Sequence, residues 1–299
     1  MAEPSHPSPR MSPSASQSLS PMQTAWRRFG RRRLNATALG CLMVLIIMCV
    51  FGPLVSPYAQ DAQNLELKAV DASSAHWLGT DTLGRDMLTR ILHGGRVSLA
   101  VGLLATLVAA CIGVTYGLIS GLAGGRVDAA MMRVVDILYA FPFINFVILL
   151  MVVFGRQFWL IFVAIGAVEW LTMARVVRGQ VLALKNLEFV TAAKASGASF
   201  GHIMRKHLLP NVIGPVIIYA SLTVPGVMLL EATLSFLGLG IQPPNASWGV
   251  LLGDGSQVMQ TYPWLLLYPG LFFISTLLAL NILGDGLRDA LDPKSTAQE

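Results

Sequence analysis

The chain has 299 residues, of which 54% are hydrophobic and only 12% charged, with a formal net charge of +5. Mean hydropathy is +0.63. So little charge cannot cover a soluble domain, and apolar runs that are continuous rather than alternating exclude a β-barrel, leaving a polytopic all-α membrane protein.

The N-terminal stretch is rich in Ser and Pro and has no apolar core, so it reads as a disordered tail rather than a cleaved signal. Arg27, Arg28, Arg31, Arg32 and Arg33 follow. Such a run also suits nucleic acid, but an apolar segment begins within a few residues, which favours a membrane anchor and no nucleic-acid partner. The expected spans are Leu39–Val55, Val97–Ile119, Val134–Phe154, Phe158–Ala174, Val212–Leu230 and Trp264–Gly284. Cys41, Cys49 and Cys111 lie in apolar runs and form no Cys-x-x-Cys pair, so neither a disulfide framework nor a metal site is expected.

Basic residues orient the spans. With the N-terminus inside, the inner segments hold Arg10, the arginine cluster, Arg126, Arg133, Arg175, Arg178, Lys185, Lys194, Arg205, Lys206, Arg288 and Lys294. The outer segments hold only Lys68, Arg85, Arg90, Arg96 and Arg156. Both termini and the segment from Arg175 to Asn211 are therefore expected in the cytoplasm.

That segment carries Glu188-Phe-Val-Thr-Ala-Ala-Lys-Ala-Ser-Gly-Ala-Ser-Phe-Gly-His-Ile-Met-Arg-Lys-His-Leu-Leu-Pro210. Its first part has helical character, and Ala192, Ala193 and Ala195 are small enough to fit a partner's groove. Gly197 permits a turn, and Pro210 interrupts backbone hydrogen bonding after a second short helix. An ordinary re-entry helix with common breakers has the same composition. The spacing, however, resembles the "EAA" loop of type I ABC-importer permeases. Ala192 and Ala193 fill its alanines, Gly197 its glycine, and Leu209 and Pro210 its closing pair. Two positions depart from it: Thr191 stands where Glu is expected, and His207 at a usually apolar position.

Three further segments carry the resemblance. They are Leu78-Gly-Thr-Asp-Thr-Leu-Gly-Arg-Asp86, Leu234-Ser-Phe-Leu-Gly-Leu-Gly-Ile-Gln-Pro-Pro244 with Ser247-Trp-Gly249, and Gly284-Asp-Gly-Leu-Arg-Asp-Ala-Leu-Asp-Pro-Lys294. Together they are similar to the C-type permease of dipeptide and oligopeptide ABC importers, over about Arg32 to Lys294. The resemblance implies a type I ABC-importer permease fold with six transmembrane helices. It implies a tail at 1–38, a peripheral first helix at 39–55, a periplasmic segment at 56–95, the transmembrane domain at 96–284 and a tail at 285–299. It also implies a bacterial inner-membrane location, a B-type permease partner, two ATP-binding subunits, a periplasmic solute-binding protein and a peptide substrate. The chain itself would be no enzyme and bind no cofactor, ATP-Mg residing on the partner ATPases. Glu188, Thr191, Ala192, Ala193, Gly197, His207, Leu209 and Pro210 would form the ATPase-coupling loop.

Other residues are read from their chemistry. Glu231, at the outer end of the fifth run, is a candidate for lining the pathway or the permease interface, with snorkelling as the competing account. Pro225, like Pro142 and Pro269, lies within a span and is a candidate kink. Asp81, Arg85 and Asp86 are candidates for periplasmic contact, against local turn and capping chemistry with Thr80 or Asp81 as N-cap. Asp136 is expected to pair with Arg133 one turn earlier. Glu169 and Trp170 fall near the inner end of the fourth span, where Trp170 reads as an interface anchor. Gly117, Gly121, Gly124 and Gly125 suit close helix packing or a tight inner turn. No G-x-x-x-x-G-K-[ST], H-E-x-x-H or G-x-S-x-G occurs.

Two alternatives stay open. The same family serves nickel chelates, glutathione and haem. A secondary transporter would instead need ionisable residues within the membrane for ion coupling, or paired broken helices. An integral membrane enzyme would need a catalytic cluster near one membrane face, and none is found.

Overall fold

The computed structural model describes residues 29–30, 32–155 and 157–291. The expected tail over 1–28, with Arg10, Arg27 and Arg28, lies outside the described residues, as do Arg31, Arg156 and the final segment with Lys294. Apart from one isolated β-bridge between Thr80 and Asp86, the regular structure described is helical. The helices are α1 (Arg33–Val55), α2 (Met87–Ala123), α3 (Gly125–Ala140), α4 (Phe143–Phe154), α5 (Phe158–Leu184), α6 (Glu188–Ala195), α7 (Phe200–His202), α8 (Leu209–Phe236), α9 (Trp248–Gln257) and α10 (Trp264–Leu291). A π-helical turn, Ile203–Leu208, joins α7 to α8.

Five helical stretches are long and apolar enough to cross a membrane, and α3 with α4 makes a sixth if the pair is one span. The expected third span, Val134–Phe154, is therefore not continuous: α3 and α4 meet at an angle of 82°. Pro142 is the cause. It has no N–H to give, and it drives Phe141 out of the helical region to φ −76°, ψ 127°. The other spans outrun their apolar cores. α2 begins ten residues before Val97, at Met87, and its 37 residues reach about 55 Å. α5 continues past Ala174 to Leu184.

The bundle is organised around α2, which packs most extensively on α5 and then on α8. Gly113, Gly117 and Gly121 lie on one face of α2 and let α5 approach to backbone contact. A Cβ on Gly117 would sit 2.5 Å from the Ala174 carbonyl oxygen, and one on Gly121 2.7 Å from Val181 Cβ. Association of helices in lipid relies on such close packing, since no hydrophobic gain separates helix from tail. Gly124 and Gly125 do the turning, at φ +66° and +53°.

Charged side chains lock the end of the bundle near this turn. Asp128 accepts from Arg178 Nε and Nη2 at 2.5 and 2.6 Å and from Ser120 Oγ, tying α2, α3 and α5 together. Asp136 does not pair with Arg133 as expected; Arg175 of α5 donates to it at 2.9 Å. The neighbouring helix offers a better-placed guanidinium than the same face one turn away. At this end Arg32 also meets Asp289, joining the start of α1 to the end of α10.

Candidate functional site

The segment between α5 and α8 is a helix–turn–helix keyed into the end of the bundle. Lys185, just past the end of α5, donates from Nζ to Gly121 O in the last turn of α2 at 3.0 Å. Leu187 then breaks the chain direction and α6 begins at Glu188, whose carboxylate favours the positive end of the helix. Val190 and Leu208 are fully buried, and Ile203 nearly so, among Leu118, Leu122, Met173, Val177, Val181 and Val212. Each such side chain contributes roughly 1.5–3 kcal/mol on burial. The loop is thus fixed to α2, α5 and α8 by one residue of α6 and two of the π-helical turn.

Gly197 closes α6. Its φ is +79°. Its N–H donates to Lys194 O and the Ala198 N–H donates to Ala193 O, both at 3.0 Å, which is a Schellman closure. Ser199 then caps the next helix by accepting from the His202 N–H. The π-helical turn before α8 follows from Pro210. With no N–H at Pro210 and a ring that crowds the preceding turn, the backbone widens, and Leu209 N–H reaches back to Met204 O. The Asn211 side chain donates to the His207 carbonyl at 2.6 Å.

What remains outward is an exposed face. Glu188, Thr191, Ala192, Ala195 and Gly197 are exposed there, as is Pro210 where α8 begins. Leu187, Phe189 and Phe200 are also exposed. Ala193, His207 and Leu209 are half-buried. His207 lies between Phe189 and His202, with ring centres 6.2 and 5.8 Å away. Thr191, in the position where the loop pattern has Glu, donates its hydroxyl to Leu187 O at 2.7 Å and so serves its own helix. The structure brings these eight residues into one loop. Sequence reading missed the three keys, Val190, Ile203 and Leu208, although Val190 is the one large apolar residue between Glu188 and Ala195 other than Phe189.

The remaining candidates lie towards the other end of the bundle. Glu231 is 0% exposed. It accepts from Ser98 Oγ at 3.1 Å and from Ser235 Oγ at 2.7 Å. Ser98 in turn accepts from the Trp248 N–H at 3.1 Å, and Ser247 caps α9 through the Val250 N–H. Its carboxylate is thus the acceptor of a serine knot joining α2, α8 and α9, enclosed within the chain. Pro225 is also buried, in the middle of α8.

Asp81, Arg85 and Asp86 organise the 56–86 segment. Arg85 Nε donates to Asp81 at 2.7 Å and Arg90 at 2.5 Å, and the same carboxylate accepts the Leu83 and Arg85 N–H groups. Asp86, not Thr80 or Asp81, is the N-cap of α2; it accepts from Thr89 N–H and pairs with His76 at 2.9 Å. The cap falls there because α2 starts before the apolar run does. All three side chains are turned inward, with side-chain exposures of 6%, 11% and 5%. A cleft of about 230 Å³ opens beside this end, lined by Gln157, Gln242 and Asn245 with Met151 and Ile161.

Residues 113–296, which include the whole loop, match the sequence model of the binding-protein-dependent transport system inner membrane component. Residues 20–71 match the N-terminal TM domain of oligopeptide transport permease C. The chain is 48% identical over 278 residues to the dipeptide transport system permease protein DppC of Bacillus subtilis, covering 93% of this chain and 87% of that one. It is 50% identical over 274 residues to the oligopeptide transport system permease protein OppC of Escherichia coli, covering 91% of each. The chain therefore belongs to the binding-protein-dependent transport system inner membrane components, and is a multi-pass membrane permease of the ABC-importer kind.

Proposed function

We propose that this chain is one half of the translocation pore of an ATP-driven importer of dipeptides or short oligopeptides. It pairs with a second, B-type permease and takes force from two ATPase subunits through the loop from Glu188 to Pro210. A solute-binding protein delivers peptide at the end formed by the 56–86 segment and α9. The observation that carries this reading is the keyed loop: a helix that presents Thr191, Ala192 and Ala195 outward beside Glu188 and Phe189, with its other side pinned to three spans. A rigid attachment of that sort passes a push on α6 directly into α2, α5 and α8.

The distribution of Lys and Arg supports placing the loop end, with both termini, in the cytoplasm where ATP is. Names of the relatives support peptides as solute. In this reading the chain hydrolyses nothing and holds no cofactor, ATP-Mg being bound by the partner subunits. Closure of the ATPases biases the pore outward, and hydrolysis returns it inward; the shift is bounded by the difference in ATP affinity between the two states.

Purification of the tagged chain in mild detergent, with mass spectrometry of its companions, tests the assembly. Recovery of a second permease and two ATPase subunits, or one ATPase twice, is the expected result. A chain that purifies alone and intact, with no ATPase even after cross-linking through residues 188–210, would overturn it.

A further inference from the structure

Four carboxylates are carried by α3, α5 and α8. Asp128 is held by Arg178, Asp136 by Arg175, and Glu231 by two serines. Glu169 on α5 differs: among the described residues it makes no hydrogen bond and no ion pair. It is half-buried, so it faces open space on one side of the chain. Glu169 lies in the apolar part of α5, about 9 Å along the axis before Arg175. A carboxylate within an apolar span is retained only where it meets water or a cation.

A second observation points to the same place. The helix break at Phe141 and Pro142 lies close by, and Phe141 and nearby Tyr139 are each 51% exposed. Within a membrane, non-helical backbone persists only where protein covers it or water reaches it. The carbonyl end of α3 carries partial negative charge and favours cations. Tyr139 and Glu169 both lie close enough to the Tyr219 hydroxyl to act on it electrostatically, and Thr172 and Thr223 adjoin it. Arg175, stacked over Tyr139 at 4.6 Å, is already engaged by Asp136. The net character of the patch is therefore anionic, with several neutral hydroxyls around one carboxylate.

We propose that Glu169, with Tyr139, Thr172 and Tyr219 around it, lines the solute pathway and receives the ammonium group of the solute in transit. This rests on the importer reading above. One carboxylate with neutral oxygens around it suits a passing cation, because conduction needs a site strong enough to enter and weak enough to leave. A free peptide amino terminus has that chemistry. The competing occupant is a basic side chain of the second permease.

The test uses the assembled importer in proteoliposomes, with radiolabelled dialanine as probe. Glu169→Gln is expected to lower initial uptake about tenfold below saturation, the loss of one charge-assisted contact, and Glu169→Asp to recover most of it. Glu169→Cys, with Cys41 and Cys111 replaced by Ser, is expected to react with a cationic water-soluble thiol reagent and to be protected by dialanine. Uptake by Glu169→Gln equal to that of an active wild type would overturn the proposal, as would an unreactive Glu169→Cys. Loss of the second permease from the Glu169→Gln complex would overturn it in favour of the interface pairing. A wild-type complex that moves no dialanine despite hydrolysing ATP contradicts the peptide-importer reading itself, and the thiol labelling then still decides whether Glu169 faces water.

Discussion

Arg96 of α2 donates from Nε to the backbone carbonyl of Cys49 in α1 at 2.7 Å, and from its other end to the Val50 carbonyl. The Cys49 carbonyl is the acceptor that Pro53, four residues on, leaves without a helical donor. One side chain thus satisfies a backbone group stranded within an apolar helix and fastens the peripheral α1 to the bundle. Close contact of Gly52 with Leu92 completes the seam.

That relationship predicts a non-additive pair. Arg96→Leu should destabilise the chain by about 1–3 kcal/mol, the cost of an unsatisfied buried acceptor. In a Pro53→Ala background the helix regains its own donor, and Arg96→Leu should cost clearly less. Thermal unfolding in detergent of the four variants reads the coupling; equal costs in the two backgrounds would exclude it.

Gly117 sets the distance between α2 and α5. Gly117→Leu drives a branched side chain into the Ala174 carbonyl and Val177 and should cost about 1–3 kcal/mol or splay the pair. Gly40→Leu is the control, since a Cβ there meets nothing within 4 Å. A fall in melting temperature for the first and little change for the second is the expected outcome.

The serine knot predicts that Ser98 matters more than its size suggests. Ser98→Ala removes a donor to Glu231 and an acceptor for the Trp248 N–H together. Leaving both buried partners short should cost about 1–3 kcal/mol for each. Protease sensitivity of the segment around α9 is expected to rise in this variant; unchanged protection would show that water or a rearranged serine restores the contacts.

How much of this was legible in the sequence depends on how far apart the partners are. The loop was legible because its signals are local: Gly197 for the turn, Pro210 for the stop, alanines for a slim helix. The span count was also legible from hydropathy, which reads composition over one helix length. The break at Pro142 was not, since proline is ordinary in membrane helices and only tertiary packing decides whether the chain bends or continues. Glu231 stands out in the sequence as a costly charge, but its serine partner Ser98 is 133 residues away and carries no pattern of its own. Spacing along one helix points Asp136 to Arg133, whereas Arg175 across the bundle leaves no pattern in the sequence.

The central claim is that the keyed loop transmits force from the ATPases. Gly197→Asp tests it most directly. The position requires φ near +79°, and the side chain adds charge to the face offered to a partner, yet a Cβ there meets nothing else in the chain. Peptide uptake by the reconstituted importer, measured beside the amount of chain in the membrane, is the decisive readout. The account predicts normal insertion and a loss of ATP-driven uptake; normal uptake with normal ATPase binding would contradict it.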